Sequence, residues 1–417
     1  MARKMIGTAS NFKITNLKQN NQIFETDDEK SNLLAETFAQ ISSNSNYTPT
    51  FLLNKTKFDT EHKQDYTDNT NNTADNKDFN KLFTLHELKT AIKQCKKDTQ
   101  PGPDDITYEM ITNLPTEALQ VLYTHYNNIW QIGAVPNNWK HSIVLPIHKQ
   151  DKNASDPKSY RPISLTSCLC KVMERLVTNR LSWYLESKSI LNPAQTGFRQ
   201  GKSTIDQILK LQDTISNYNA NGGYTVGAFL DFEKAFDMLY INGLMYKLKN
   251  IGIVGNMFSF IDSFVRDRTF QVRVGSSKSD IKNLENGTPQ GSVISPILFL
   301  IMINDIKVKA GVELSLFADD SATFKSGKHL DSLVKDVQES LDLISDWCEK
   351  WGVKISLTKS CAVIFSKRLK IKINKPLNIY GTPINIEKST KFLGLIFDSK
   401  LTWAEHIDYI RKNVKKD

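Results

Sequence analysis

Residues 316–324, LFADDSATF, set two adjacent aspartates between apolar runs. Apolar residues on both flanks predict two short strands joined by a tight turn, and Asp-Ser is turn chemistry. A second apolar strand, GYTVGAFLDF (223–232), also ends on a carboxylate, Asp231, and Asp237 follows within FLDFEKAFD (229–237). Carboxylates at the ends of two separate strands can share divalent cations. Mg²⁺ takes oxygen ligands and is usually held by one or two carboxylates plus substrate phosphates. Two such ions clamp the attacking and leaving oxygens of an in-line phosphoryl transfer. Each cluster also has an ordinary reading: an Asp-Asp pair suits a turn without any ligand, and Asp231 could cap the segment that follows it.

The rest of the chain mixes helices and strands, which predicts an α+β or α/β fold. Helical periodicity marks 29–41, 85–95, 118–133, 166–188, 203–217, 329–352 and 403–416. Strands are expected at 141–149, 269–275, 361–366, 370–374, 377–381 and, as one strand, KFLGLIFD (391–398). Residues 1–80 are polar, and DYTDNTNNTADNKD (65–78) reads as a disordered linker. With 417 residues the chain is long enough for two or three domains. Its net charge of +9 favours a polyanionic partner such as nucleic acid. The five cysteines form no CxxC pair, which argues against structural zinc and a disulfide framework and for a reducing, intracellular setting. The start, MARKMIGTASNF, has no apolar signal region. The longest apolar run, VISPILFLIMI (293–303), falls short of the roughly 18 residues that span a bilayer and reads as a core helix.

Two loops complete the chemistry. NGTPQGSVISPILF (286–299) is a glycine-bearing loop opening an apolar helix. Glycine allows close backbone approach to a ligand, and the helix N-terminus offers N–H groups to an anion. An ordinary capped helix start fits the same residues. In KQDKNASDPKSYRPISL (149–165), Lys149, Lys152, Lys158 and Arg161 surround a turn that could grip a triphosphate, or simply be a solvated basic loop.

Taken in order, these stretches resemble the reverse transcriptase of non-LTR (LINE-type), jockey-like retrotransposons. The matching motifs are YRPISL (160–165), QTGFRQGKST (195–204), FLDFEKAFD (229–237), GTPQGSVISPILF (287–299), FADD (317–320), KWGVKISLTKS (350–360) and KFLGLIFDSKLTW (391–403). PGPDDITYEMI (101–111) and GAVPNNWK (133–140) also look like this family's fingers region, so the likeness covers roughly 85–415. It implies an α+β right-hand polymerase fold with fingers, palm and a partial thumb. The implied boundaries are a polar segment and linker at 1–80, a helical extension on the fingers side at 81–128, the reverse transcriptase domain at 129–398 and the start of a truncated thumb at 399–417.

The resemblance also implies roles. Asp231 and Asp319 match the metal-binding aspartates, with Asp320 beside them, for two Mg²⁺ ions or Mn²⁺ in their place. The backbone carbonyl of Phe232 would face a metal. Phe236 matches the residue that stacks under the incoming sugar and excludes a 2′-OH. Gln290 and Gly291 match the loop against the nucleotide and template base. Arg161, with Lys149 or Lys152, matches the triphosphate contacts. Lys359 matches a general acid near the leaving phosphate. Phe392, Leu393 and Gly394 match the primer grip. The implied partners are an RNA template, a DNA primer and dNTPs, with no membrane.

The chain departs from the family pattern at MLYIN (238–242), where a Trp-His pair is frequent, at Asp105, where Gly is usual, and at Leu300, where Asn is common. None of these removes a catalytic carboxylate. The expected whole is a fragment of a larger polyprotein or a truncated genomic copy. Two rival readings stand beside the polymerase. An RNA-dependent RNA polymerase would need room for the 2′-OH that Phe236 denies. A catalytically inactive, truncated RNA-binding remnant would keep fold and charge without turnover.

Overall fold

The computed structural model describes residues 14–64, 77–96, 99–368 and 371–414. The expected linker therefore lies, apart from its last two residues, outside the described residues. In chain order the principal strands are β1 (His141–His148), β2 (Tyr160–Leu165), β3 (Tyr224–Glu233), β4 (Thr269–Val274), β5 (Glu313–Phe317), β6 (Asp320–Gly327), β7 (Cys361–Phe365), β8 (Ser389–Phe392) and β9 (Leu395–Asp398). The principal helices are α1 (Asp27–Ser42), α2 (Pro49–Glu61), α3 (Leu85–Lys93), α4 (Thr116–Ile132), α5 (Cys168–Ser187), α6 (Thr204–Ala220), α7 (Ile241–Asn250), α8 (Gly255–Val265), α9 (Ser295–Met302), α10 (Leu330–Trp351) and α11 (Ala404–Val414). Helix and strand are mixed throughout, as an α+β fold requires. Among the described residues no helix is long and apolar enough to cross a membrane.

The described residues form two compact units, each built from separated stretches of chain. The first holds the residues up to Ile190 together with Phe236–Leu298; the second holds Leu191–Ala235 and the residues from Phe299 onward.

In the first unit β1 pairs antiparallel with β2 and parallel with β4. Pro146 and Pro162 face each other across the β1–β2 pair, beyond the stretch where β4 pairs with β1. Neither proline has an N–H to give to a ladder bond. The polar N-terminal segment is not merely a leader to this unit. Thr26 and Glu29 close a capping box that starts α1. Leu33, Leu34 and Phe38 of α1 then bury against Val144, Tyr160, Phe270 and Val272 of the sheet. On the helical side, Asn127 of α4 bonds both the N–H and the carbonyl of Phe83, and Arg180 of α5 forms a two-bond contact with Glu87 of α3.

In the second unit β3 is central. It pairs antiparallel with β6 on one side and β7 on the other, and β5 extends the sheet beyond β6. Seven of its first residues in a row are buried, which is why the strand reads as a continuous apolar run rather than an alternating one. Ile208, Leu211 and Ile215 of α6 pack with Phe229, Phe324, Val363 and Phe365 of the sheet. The long α10 packs on β6 and β3, and Gly352 stops it in the left-handed conformation that glycine adopts freely.

Two expected strands are corrected. Residues 371–374 of KIKIN carry no strand; Lys370 lies outside the described residues. KFLGLIFD is a hairpin, not one strand: β8 and β9 pair antiparallel, Phe392 opposite Leu395, around Leu393 and Gly394 at φ +49° and +91°. Two positive φ values at the central residues make the primed turn that matches strand twist.

Candidate active site

The aspartates are placed by the β3–β6 ladder in the second unit. Asp231, near the end of β3, is the direct cross-strand partner of Asp320, the first residue of β6. Directly opposed residues present their side chains on the same face of the sheet. Phe317 pairs with Asp320 across the β5–β6 hairpin, so the turn residues are Ala318 and Asp319. The turn therefore falls two residues earlier than Asp-Ser suggested, because strand pairing and not local turn chemistry sets it. Asp231 and Asp320 thus share one face of the sheet, with Asp319 in the adjoining turn.

Their electrostatics follow. Burial, and then the like charges of Asp319 and Asp231, push the Asp320 carboxyl up to about 6. Asp319 is also raised, by burial and by Asp231, while its own backbone N–H and Lys359 oppose the shift. Both side chains reach solvent, which tempers the desolvation part; the crowding of like charge is fixed by strand register.

One cation of the protein already answers that crowding. Lys359 Nζ lies 3.0 Å from Asp231 Oδ1. A turn after the short strand 354–355 delivers it, and that strand pairs with β3 through Lys354–Glu233 and Ile355–Phe232. The turn is fastened to the same aspartate by its backbone: Ser356 N donates to the Asp231 carbonyl at 2.8 Å, and Ser360 Oγ accepts from Asp231 N at 3.1 Å. Ser356 and Ser360 were not singled out from the sequence, although both stand within KWGVKISLTKS. Phe232 has a buried ring, so any contribution it makes passes through its backbone.

The fit to divalent cations is at the level of pairs. Among the described residues no three or more His, Cys, Asp or Glu side chains converge as a ligand set. Mg²⁺ does not require such a cage, since one or two carboxylates with water and phosphate oxygens suffice. Asp319 and Asp320, both raised by burial and by like charge, are groups whose charged form a nearby cation favours.

The remaining expected residues of the second unit are the primer-grip triplet. Phe392 is buried and stacks edge-on against Phe229, ring centroids 5.4 Å apart. Its side chain belongs to the core, so only Leu393 and the backbone around Gly394 are offered at the hairpin tip.

The first unit carries the other expected residues. Lys149 and Lys152 lie on the β1–β2 connection, where Lys149 Nζ donates to the Lys158 carbonyl at 2.9 Å, and Arg161 is exposed on β2 opposite Ile147. The 287–291 loop is fastened to the turn after Phe236. Gly287 N donates to the Leu239 carbonyl and Thr288 N to the Phe236 carbonyl, both at 3.0 Å. Gly287 is at φ +81°, and a Cβ there would lie 2.4 Å from the Asp237 carbonyl oxygen, so only glycine fits. Gln290 Nε2 donates to both Asp237 carboxylate oxygens, at 2.8 and 3.0 Å, and its carbonyl accepts from Ser164 N at 2.9 Å. Because a carboxylate only accepts, this contact fixes which way the Gln290 amide points.

Just before α9, two backbone N–H groups are already taken. Glu174, fully buried in α5, reaches the N–H groups itself: Oε2 accepts from Val293 N at 2.6 Å and Ile294 N at 3.2 Å. A protein carboxylate therefore takes N–H groups just ahead of a helix start that could have offered such groups to an anion.

The family profile described as reverse transcriptase (RNA-dependent DNA polymerase) matches residues 147–397. The chain belongs to the reverse transcriptase family. Its relatives include the RNA-directed DNA polymerase from the mobile element jockey of Drosophila melanogaster, 34% identical over 79% of this chain and 36% of that protein. The probable RNA-directed DNA polymerase from transposon BS of the same species is 31% identical over 78% of the chain and 37% of its own length. The jockey protein of Drosophila funebris is 30% identical over 80% of the chain and 37% of its length. The jockey-like resemblance is thus borne out, and the chain spans little more than a third of the relatives' length. The reverse transcriptase match takes in both strands that carry the aspartates, the 287–291 loop and Lys359.

Proposed function

We propose that this chain is an RNA-directed DNA polymerase that extends a primer 3′-OH with dNTPs on an RNA template. The observation that carries the reading is the register of Asp231 with Asp320 beside the Asp319 turn, inside the stretch that matches the family. In the proposed reaction the primer 3′-oxygen attacks the α-phosphorus, the bond to the β-phosphate oxygen breaks, and pyrophosphate leaves. The 3′-OH loses its proton as the new phosphodiester forms.

Asp231, Asp319 and Asp320 would hold two Mg²⁺ ions, or Mn²⁺ in their place. When bound, these supply charge neutralisation at the attacking and leaving oxygens. Lys359, carried beside Asp231, is the proposed proton donor to the leaving pyrophosphate. Phe236 blocks a ribose 2′-OH by bulk. Gln290, held by Asp237, and Gly291 form the surface for the nucleotide. Arg161 with Lys149 or Lys152 binds the triphosphate. Leu393 and Gly394 meet the primer, with Phe392 as the packed base of their hairpin. The sheet of β3, β5, β6 and β7 is the proposed palm, β1 and β2 belong to the proposed fingers, and α11 begins the proposed thumb.

Primer extension on poly(rA)/oligo(dT) with Mg²⁺, comparing the wild type with Asp319→Ala, tests this. Extension by the wild type and its loss in the variant is the expected result. A wild type that binds RNA but does not extend the primer refutes the polymerase and favours the inactive binding remnant.

A further inference from the structure

The motif QTGFRQGKST (195–204) has so far been given no task. Its first residues run alongside β5, where Leu316 N donates to the Ala194 carbonyl and Thr196 N to the Leu316 carbonyl, both at 3.0 Å. That brings Gln195 to the aspartate turn. The side chain is 2% exposed, and its Oε1 accepts from Gly197 N at 2.7 Å and from Ala318 N at 3.2 Å. We propose that Gln195 is a positioning residue, holding the Ala318–Asp319 turn in shape through this acceptor. The inference rests on the polymerase reading, since it assigns a task only if Asp319 has one.

The turn needs such a hold. Ala318 sits at φ +57°, in the left-handed region that costs any residue with a Cβ. A two-residue hairpin turn with positive φ at its first position ordinarily has glycine there. A strained residue persists only where its surroundings fix it. Gly197 supplies the close fit: a Cβ there would fall 2.4 Å from Ala318 N and 2.9 Å from the Phe317 carbonyl carbon.

The clamp is itself held. Gln207 of α6 donates through Nε2 to the Ala194 carbonyl at 2.9 Å and to Thr196 Oγ1 at 3.2 Å, and its Oε1 accepts from Ser315 Oγ at 2.6 Å. Arg199 donates to the carbonyls of Asn192 and Gln195. Gln195 Nε2, by contrast, is buried and has no hydrogen-bond partner among the described residues. The amide is therefore present for its oxygen, and two N–H donors facing that oxygen fix its orientation.

Gln195→Met removes the acceptor at nearly constant volume, and Ala318→Gly relieves the strain the acceptor opposes. Hydrogen exchange by mass spectrometry on peptides spanning Ala318 reads the clamp without any need for activity. Faster exchange there in Gln195→Met is expected, with kcat lowered about tenfold or more through misplacement of Asp319. The KM for dTTP is expected to stay within about twofold, as befits a group that acts on chemistry and not on binding. The Gln195→Met/Ala318→Gly chain is expected to recover most of the lost kcat, which a general folding defect would not. Gly197→Ala, which presses a methyl on Ala318 N, gives the same loss and serves if Gln195→Met does not fold. Unchanged exchange, unchanged kcat or no recovery with glycine overturns the proposal. A wild type that extends no primer refutes the polymerase reading, while the exchange comparison still decides whether Gln195 holds the turn.

Discussion

Replacing Glu174 measures how strongly the loop before α9 depends on a carboxylate delivered from another helix. Glu174→Ala leaves Val293 N and Ile294 N without their acceptor in a buried place. Each orphaned group costs about 1–3 kcal/mol, so the pair sets a range of about 2–6 kcal/mol. Arg268 pushes the result upward. Burial lowers the pKa of its guanidinium, and the Glu174 carboxylate opposes that lowering. Losing the carboxylate leaves the buried cation without that charge, so the upper half of the range, about 4–6 kcal/mol, is expected. Glu174→Gln keeps one oxygen acceptor but no charge, and a loss of about 1–3 kcal/mol follows. Equilibrium urea unfolding at neutral pH, followed by far-UV circular dichroism, gives both values from the midpoint and slope. An alanine variant that loses less than about 1 kcal/mol, or a glutamine variant worse than alanine, refutes the capping argument.

Three further outcomes are expected. The folded state holds the Asp320 proton to about 6, whereas the unfolded carboxyl titrates at 3.8, so folding is penalised increasingly as pH rises between those values and fully above them. Asp320→Asn should therefore raise the urea midpoint at pH 7 but not at pH 4; an equal gain at both counts against the crowding of carboxylates. Gln290→Glu sets two carboxylates against each other and should slow extension about tenfold or more, and adding Asp237→Asn should restore a donor–acceptor pair and much of the rate; a double variant no faster than the single one rules out the contact. Phe392→Ala should cost about 3–5 kcal/mol in urea unfolding as a core truncation while leaving primer affinity in a filter-binding assay nearly unchanged, and the opposite pattern would return its ring to the primer grip.

What the sequence made legible was local. β3 and the strands around Asp319 announce themselves because a strand buried on both faces is a continuous apolar run, and α10 because its apolar residues keep helical spacing. The β8–β9 hairpin stayed hidden since Leu393, in its turn, continues the apolar pattern and only Gly394 breaks it. α1 was placed in a polar segment because averaging over 1–80 dilutes Leu33, Leu34 and Phe38, the three side chains that cover the sheet. The site divided in the same way. The aspartates and Lys359 stand in recognisable motifs, but Glu174 meets Val293 across 119 positions of chain. No local pattern announces a partner so far away, so a helix start with unclaimed N–H groups looked open to an anion.

The central strand of the second unit has a bearing on how the chain is made. Among the described residues β3 takes all its strand partners, β6, β7 and the strand at 354–355, from chain that is synthesised after Phe236–Leu298 has been made. A nascent chain must therefore carry this ten-residue strand, its first seven residues destined for burial, with no strand paired to it until the ribosome has passed Asp320. A frameshift or stop codon anywhere in that interval strands it for good, with both edges bare and every inward face apolar, which is the pattern that drives aggregation. A chain broken in that interval is expected to be cleared or to precipitate, so that the reading frame downstream of β3 also governs solubility.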